Sequence, residues 1–409
     1  MTNYQLPITK LVLIGGGHSH AIALKLFAQN PLPDVSITLI SDVEKTPYSG
    51  MLPGRVAGFY SYEECHIDLR SLTQYAGAEF IGDRAIGLNL ETNQIICKNH
   101  PPVQFDLLSI DIGSTPAALS VPGAKEYAIP VKPVPHFLQQ WNQIIEKVSN
   151  NPQTPIRIGI VGGGAGGVEL ALTMHSHLSK ISASNSFPGS AWERNPRGSA
   201  SLSTIPLNSK PSNLEIHLFH RESELMTNHN PWVRHHMLKI LTRRSIQVHL
   251  KENVCQVQPQ LLHCESSLKV EFNYLFWVTQ AAAPDWPKLS GLATDKDGFI
   301  LVSDTLQSVS HPQVFAAGDI ATIVNNPCPK AGVFAVRQGK PLFNNLQQKL
   351  FGKPLKPYRP QKRYLSLIGT GDGRAVASRG SFGWDSPLLW YWKDWIDRQF
   401  MKQFNNLRA

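Results

Sequence analysis

Two glycine-rich stretches carry the residue types from which phosphate-binding turns are built. The second, VGGGAGGVELAL, places Gly162, Gly164 and Gly167 in the spacing GxGxxG, after the apolar run IRIGIV and before a helix-forming run. In such a turn the first glycine permits the tight bend, the second lets the backbone approach a pyrophosphate, and the third lets helix and strand pack closely. The N-terminus of the following helix then faces the phosphates. Because strand, turn and helix agree, this stretch predicts a dinucleotide site.

The first glycine-rich stretch, GGGHSH, keeps Gly15 and Gly17 but has His20 where the third small residue belongs, with His18 two positions earlier. Four interpretations are open. His20 fills a wider gap between helix and strand, or the histidines bind a metal, or one of them is a catalytic base, or they donate hydrogen bonds to phosphate oxygens. Two histidines on a turn without a third ligand in view argue against a metal. We favour the phosphate interpretation.

The stretch AAGDI (316–320) ends an apolar strand at Gly318 and Asp319. Taken alone, Asp319 could be a helix cap. Paired with an N-terminal dinucleotide turn, an aspartate here can accept hydrogen bonds from the ribityl hydroxyls of a flavin. A helix that follows it would point its N-terminus at the flavin. The two segments together predict a flavin site.

Each glycine-rich turn lies inside a strand–helix–strand unit. The strand ITLI (37–40) follows a helix-like segment at 21–29, and LEIHLF (214–219) follows the second turn and its helix. Two such units predict an α/β fold with two Rossmann-like dinucleotide-binding domains. A Ser-, Pro- and Gly-rich insertion, Ala183–Asn213, separates the second helix from its strand, and we interpret it as solvated and mobile.

Composition narrows the class of protein. The 409 residues are 42% hydrophobic and 17% charged, which is typical of a soluble globular protein of two or three domains. We find no apolar run long enough to span a membrane and no secretion signal, so we expect a cytoplasmic protein. The formal charge of +9 comes without a run of Lys and Arg, which argues against nucleic acid and leaves anionic cofactors or lipid headgroups. The five cysteines form no CxxC pair, so neither a zinc ribbon nor a redox dithiol is predicted.

The order of these segments resembles that of the flavoproteins with two dinucleotide-binding domains, the pyridine nucleotide-disulfide oxidoreductase superfamily. The resemblance runs from about residue 10 to 345, and among these proteins the chain is most similar to type II NADH dehydrogenases. It is carried by GGGHSH (15–20), DLLSIDIGSTP (106–116), GGGAGGVE (162–169), YLFWVTQAAAP (274–284) and AAGDI (316–320).

Three further segments look closer still to the flavoprotein domain joined to selenide, water dikinase in some bacteria. They are TPYSGMLPG (46–54), KAGVFAVRQG (330–339) and YWKDWIDRQFMKQF (391–404). In that subgroup the GGGHxH turn also looks normal, which favours a working FAD site.

The resemblance implies a division of the chain into four segments. FAD would bind a domain formed by residues 1–118 and 286–350, NAD(P)H would bind an inserted domain at 119–285, and 351–409 would form a C-terminal region with an amphipathic helix. The residues implied for FAD are Gly15, Gly17, His18, His20, Asp42, Pro47, Tyr48, Gly113, Gly318, Asp319 and Val333.

On the nicotinamide side the resemblance implies Gly162, Gly164, Gly167 and Arg221, with Glu169 as the catalytic residue near the stacked rings. The alternative for Glu169 is an ordinary first-turn glutamate stabilised by the helix dipole.

Two departures from the family pattern bear on donor and acceptor. Type II dehydrogenases carry an AQxAxQ-like quinone motif, and here Val333 and Arg337 replace its two glutamines. After LEIHLF, His220 and Arg221 stand where an acidic residue would bind the ribose 2′-hydroxyl of NADH, and an arginine there can accommodate a 2′-phosphate. We therefore expect NAD(P)H as donor, with quinone as one candidate acceptor.

The tail Pro387–Leu407 predicts an amphipathic helix. Its apolar stripe consists of Leu389, Trp392, Ile396, Phe400, Phe404 and Leu407. The charged residues expected mostly off this stripe are Lys393, Asp394, Asp397, Arg398 and Lys402. Such a stripe packs on the protein body or on a second copy of the chain, or it lies on the cytoplasmic face of a membrane.

These patterns lead to one expected function and two alternatives. We expect a type II-like NAD(P)H dehydrogenase that passes hydride to FAD and electrons to an external acceptor. One alternative is a flavoprotein of selenium or sulfur metabolism with a non-quinone acceptor. The other is a non-catalytic, flavin-bound sensor.

Overall fold

The computed structural model describes residues 8–116, 121–184, 213–279, 281–405 and 407. Ten α-helices occur in this part of the chain: α1 His18–Gln29, α2 Leu52–Val56, α3 Leu69–Tyr75, α4 Ala124–Tyr127, α5 Val134–Asn150, α6 Ala165–Ser184, α7 Pro231–Arg243, α8 Trp286–Leu289, α9 Gly332–Leu350 and α10 Pro387–Asn405.

Short strands account for most of the remaining regular structure. In chain order they are β1 Thr9–Ile14, β2 Val35–Ile40, β3 Lys45–Pro47, β4 His66–Asp68, β5 Glu79–Ile81, β6 Ala85–Asn89, β7 Gln94–Cys97, β8 Val103–Gln104, β9 Leu107–Ile110, β10 Thr115–Pro116, β11 Ile129–Pro130, β12 Ile156–Val161, β13 Leu214–His220, β14 Gln247–Leu250, β15 Val254–Gln258, β16 Leu261–Cys264, β17 Lys269–Glu271, β18 Tyr274–Trp277, β19 Ala281–Ala282, β20 Ile300–Val302, β21 Val314–Ala316, β22 Ala321–Ile323, β23 Ser366–Gly369, β24 Ala375–Arg379 and β25 Phe382–Ser386.

The first of two large sheets is parallel and has the strand order β21-β9-β1-β2-β5. The last four residues of β1, the last four of β2 and all of β9 are buried, as expected for parallel strands covered on both faces. Helix α1 connects β1 to β2 as a crossover, and the glycine-rich turn lies at the carboxyl end of β1. A crevice beside this edge is where such sheets bind ligands.

The second large sheet is also parallel, with the order β11-β18-β12-β13-β14. All of its strands come from between β9 and β21 in the sequence, so it is inserted into the chain that forms the first sheet. The predicted α/β class, with one Rossmann-like unit inserted into the other, is confirmed. The domain boundaries stay a prediction.

The C-terminal region is an antiparallel sheet, β23-β24-β25, followed by α10. Helix α10 packs with its buried residues Leu389, Trp390, Met401 and Phe404 against the core of the first sheet. None of the helices in the described residues is long and apolar enough to cross a membrane.

Three local expectations need adjustment. Helix α1 begins at His18, three residues before the predicted segment, so both histidines of GGGHSH lie on its first turn. Asp319 is followed by the strand β22, and the next helix, α9, begins only at Gly332. Most of the predicted insertion Ala183–Asn213 lies outside the described residues.

Candidate functional site

The turn between β12 and α6 has the geometry predicted from its glycines. Gly162 has φ +126°, and a Cβ there would lie 2.4 Å from the Val278 carbonyl oxygen. A Cβ at Gly167 would lie 1.8 Å from the Gly162 oxygen, so helix and strand approach closely at this point. A Cβ at Gly164 would meet nothing within 4 Å. The space above the second glycine is therefore open for a diphosphate.

His220 and Arg221 follow β13 at the edge of this turn. His220 Nδ1 accepts a hydrogen bond from the Gly163 amide at 3.2 Å, so this histidine belongs to the turn itself. Arg221 is exposed and pairs with Glu222 at 3.2 Å. The proposed contact of Arg221 with a 2′-phosphate stays a prediction.

The turn between β1 and α1 differs from the β12–α6 turn because the space beside its second glycine, Gly17, is filled by a side chain. Gly15 has φ +94°, as the tight bend requires. A Cβ at Gly17 would lie 2.2 Å from the carboxyl group of Asp111, the residue directly after β9. Asp111 accepts hydrogen bonds from the amides of Ser19 at 2.9 Å and His20 at 3.3 Å. A buried carboxyl group thus lies at the N-terminus of α1.

The expected phosphate contact of His20 is corrected by the structure. The side chain is fully buried, with Nδ1 2.7 Å from the Gly15 oxygen and Nε2 2.8 Å from the Ser109 hydroxyl. Both ring nitrogens are used within the protein, so neither is left for a phosphate. His20 instead fills the wider gap between helix and strand, as the first of the interpretations above expects.

His18 faces a different environment from His20. Its ring lies 5.4 Å from the ring of Tyr48 and 6.3 Å from that of Phe400, and its Nε2 is buried without a hydrogen-bond partner. Burial lowers the pKa of His18 to about 4, against the opposing effect of Asp319, so the ring is neutral at pH 7. An unpartnered buried ring nitrogen beside Pro47 and Tyr48 fits a contact with a bound group.

Asp319 lies in a single 3-10 turn, Gly318–Ile320, that follows β21. Its carboxylate forms an ion pair with Lys132 at 2.7 Å and accepts a hydrogen bond from Ser114 at 3.2 Å. The Gly318 amide donates to the Gln338 side chain at 2.6 Å. Lys132 enters from the end of the inserted sheet, so the ion pair also joins the two dinucleotide-binding units.

The remaining residues implied for FAD lie at the carboxyl ends of strands or at a helix start. Asp42 follows β2 and pairs with Arg84 at 2.6 Å. Gly113 follows β9, and a Cβ there would meet nothing within 4 Å. Val333 is the second residue of α9. Their contacts with FAD stay predictions.

Glu169 is the fifth residue of α6, so the alternative of a first-turn glutamate stabilised by the helix dipole is wrong. Its carboxyl group accepts a hydrogen bond from the Gly369 amide of the C-terminal sheet at 2.7 Å. Burial raises the pKa of Glu169 to about 7, although the Lys393 cation and this hydrogen bond act in the opposite direction. A carboxyl group with a pKa near 7 can hold or release a proton at working pH.

Helix α10 contributes charged side chains to the same place. Lys393 Nζ donates to the Gly50 carbonyl at 2.5 Å and to Asp397 at 2.6 Å, and both charged side chains are buried. Asp397 also interacts with the Tyr48 hydroxyl, and together with burial it raises the pKa of Tyr48. The expectation that Lys393 and Asp397 lie off the buried face is therefore wrong for these two residues.

The predicted stripe of α10 divides between two environments. Leu389 and Phe404 are buried, whereas Trp392 is 46% exposed and Ile396 is 37% exposed. The outward face is apolar and rich in aromatic residues, because Leu388, Tyr391 and Trp395 are exposed as well.

Cysteine plays no evident redox part among the described residues. All five cysteines are free, and Cys65, the one nearest Tyr48 in the fold, is buried with its pKa raised to about 11 by that burial. A thiol held protonated in this way is a poor nucleophile.

Comparison with known proteins identifies the family. The sequence pattern of the pyridine nucleotide-disulphide oxidoreductases matches residues 9–339. The chain belongs to this family. Its members are oxidoreductases that bind FAD and NAD(P)H, so the predicted enzyme class and cofactors are confirmed.

Relatives extend over nearly the whole chain at low identity. The NADH dehydrogenase-like protein YutJ of Bacillus subtilis is 22% identical over 398 residues, which cover 94% of this chain and 98% of that protein. The sulfide:quinone oxidoreductase of Aquifex aeolicus superposes with a TM-score of 0.76 at 18% identity, covering 98% of this chain and 92% of that one. NDH2 of Plasmodium falciparum gives 0.76 at 16% identity, covering 98% and 99%. At these identities the structural likeness establishes the fold.

The residues fit the cofactors in two respects. The open space above Gly164 suits the diphosphate of NAD(P)H, and the unpartnered His18 nitrogen suits a group bound at the first turn. FAD supplies hydride acceptance and electron transfer, while the protein supplies position and charge.

Four residues at this site are not anticipated by the sequence analysis: Asp111, Lys132, Lys393 and Asp397. Asp111 could have been found as an acidic residue at the end of the apolar run LLSI. The i, i+4 spacing of Lys393 and Asp397 is a weak signal, because exposed helices carry the same spacing.

Proposed function

We propose that this protein is a type II-like NAD(P)H dehydrogenase that passes hydride from NAD(P)H to FAD and electrons to an external acceptor. The observation that carries the proposal is the position of Glu169. It lies on the helix that begins at the nicotinamide-side turn, and it is bonded to the C-terminal sheet beside Lys393, which in turn contacts Gly50 near the first turn. A carboxyl group on α6, a cation on α10 and the backbone carbonyl of Gly50 thus come together from three parts of the chain.

The roles of these groups follow from their contacts. Lys393 supplies a cation that pairs with Asp397 and favours the ionised form of Glu169. Glu169, with its pKa near 7, is the group that can exchange a proton there. The Tyr48 ring stacks on that of Phe400 at 4.3 Å, and the Tyr48 hydroxyl interacts with Asp397.

An anaerobic titration of the purified protein tests the donor half of the proposal. NADH and then NADPH are added while the visible flavin band is followed. Fast bleaching supports the dehydrogenase and ranks the two donors. A yellow protein that neither donor bleaches would contradict it and favour a flavin-bound sensor.

The acceptor requires a second assay, in which turnover with a short-chain quinone is compared with that of ferricyanide. Names of relatives include a sulfide-quinone reductase and an NAD(P)H-ubiquinone oxidoreductase, which supports quinone. The replacement of the motif glutamines by Val333 and the exposed Arg337 favours another acceptor. Rapid ferricyanide turnover without quinone turnover would support a non-quinone acceptor, such as one of selenium or sulfur metabolism.

The outward face of α10 supports a docking role for this helix, on the cytoplasmic face of a membrane or on a second copy. Tyr391, Trp392 and Trp395 are exposed side by side, and aromatic side chains favour the membrane–water boundary. Sedimentation with anionic vesicles and size-exclusion chromatography separate the two partners. A monomer that leaves vesicles unbound would contradict both.

A further inference from the structure

Asp111 is a buried acidic residue at the turn where the FAD diphosphate is proposed to bind. It is 2% exposed, and its side chain lies between two glycines of that site. A Cβ at Gly17 would lie 2.2 Å from its carboxyl group, and one at Gly318 would lie 2.3 Å from its Oδ1. The carboxyl group therefore occupies the space between the β1–α1 turn and the turn after β21.

The two acidic residues of this site differ in their partners. Asp319 has the Lys132 cation at 2.7 Å. Asp111 has the backbone amides of Ser19 and His20 and the Ser19 side chain as its hydrogen-bond partners in the described residues, and no cation pairs with it there. The other titratable groups near it are His18 and His20, whose pKa values burial lowers to about 4, so they bring no positive charge at pH 7.

A bound FAD adds two negative charges at the N-terminus of α1. The helix dipole can stabilise about half a charge there, and the Asp111 carboxylate would already use that stabilisation. A second anion at the same position is strongly unfavourable unless one of the two is neutralised. The diphosphate diester stays ionised between pH 6 and 9, so Asp111 is the group that can change.

We propose that FAD binding at the first turn is coupled to protonation of Asp111, whose neutral carboxyl group then donates a hydrogen bond towards the cofactor. The proposal rests on the FAD site described above. Binding takes up one proton from solvent, and no bond other than this O–H is formed or broken.

The same group sets the pH range in which the effect is visible. Burial raises the pKa of Asp111 to about 7, with Asp319 acting in the same direction and the two amide hydrogen bonds against it. Above this pH the carboxyl group must be reprotonated for FAD to bind. The dissociation constant for FAD should therefore approach a tenfold rise per pH unit above this value, which is about fiftyfold from pH 7 to pH 9.

The experiment measures FAD retention by the holoprotein between pH 6 and 9, from flavin fluorescence after dilution and ultrafiltration. Asp111→Asn keeps the shape and a hydrogen-bond donor but cannot ionise. It should give a flat profile and hold FAD about a hundredfold more tightly than wild type at pH 9. Asp106→Asn, on an exposed residue just before the same strand, is the matched control and should keep the wild-type slope.

A second measurement applies if Asp111→Asn does not fold. Calorimetric titration of the wild-type apoprotein with FAD at pH 8, in two buffers of different ionisation enthalpy, should show uptake of nearly one proton. No uptake, or a pH slope that persists in Asp111→Asn, would overturn the proposal while leaving the FAD site intact. A protein that binds no FAD at any pH would overturn the cofactor assignment as well.

Discussion

Loss of the Lys393 cation should loosen the C-terminal helix more than any change on its outward face. The side chains of Lys393 and Asp397 are only 8% and 6% exposed, and their charged atoms lie 2.6 Å apart. Lys393→Met leaves the Asp397 carboxylate buried without its cation, which is expected to cost about 3–5 kcal/mol. The double variant Lys393→Met/Asp397→Leu removes both buried charges, and with them both the cost of desolvating the charges and the attraction between them. The double variant should therefore lie within about 1–2 kcal/mol of wild type.

Amide hydrogen exchange over residues 387–405 measures this effect locally, which suits a chain with several domains better than a global unfolding curve. A loss of about 3 kcal/mol corresponds to exchange that is about a hundredfold faster. Lys402→Met, on an exposed lysine of the same helix, should change the local stability by less than about 0.5 kcal/mol. Exchange in Lys393→Met within about fivefold of wild type, or a double variant no slower than the single one, would refute the reasoning.

Four further variants test the site. Burial raises the pKa of Glu169 from 4.5 to about 7, so ionisation of this residue lowers the stability of the folded protein as the pH rises from 4.5 to 7. The rate of flavin reduction by NADH, measured by stopped flow, should show an inflection near pH 7 in wild type and none in Glu169→Gln. Gly164→Val should fold normally, since the space there is open, but it should raise the KM for NADH at least tenfold. Gly162→Ala should instead lower the midpoint of thermal unfolding, because alanine is strained at φ +126°. Arg221→Ala should lower kcat/KM for NADPH about tenfold and leave that for NADH unchanged, and equal losses for both donors would contradict the assigned contact.

The two glycine-rich turns show how far local sequence reaches. The spacing Gly162, Gly164, Gly167 predicts the second turn, because this pattern allows the positive φ at Gly162, leaves open space at Gly164 and lets Gly167 approach the Gly162 carbonyl oxygen. The role of His20 was not predictable in the same way. Its hydrogen-bond partner Ser109 lies on β9. The turn sequence does not show that β9 pairs with β1, and it therefore does not show that Ser109 lies next to His20.

The C-terminal helix shows a different limit. Periodicity predicts that residues 387–407 form an amphipathic helix, and the observed helix, Pro387–Asn405, agrees. Periodicity alone does not show which face of the helix is buried when apolar residues occur on both faces. Lys393 and Asp397 are buried because each neutralises the other and because the Gly50 carbonyl accepts a second hydrogen bond from Lys393, a contact across 343 positions of sequence.

The two glycine-rich turns also differ in charge, and this difference has a consequence for how the two nucleotides bind. Above Gly164 the space is open, so a diphosphate can approach the helix N-terminus directly. Above Gly17 the corresponding space is filled by Asp111, and no described cation is paired with that group. The turns share one sequence pattern but differ in electrostatics. NAD(P)H binding at the second turn should therefore be insensitive to the pH change that releases FAD from the first, and a common pH dependence of both would place the titrating group outside Asp111.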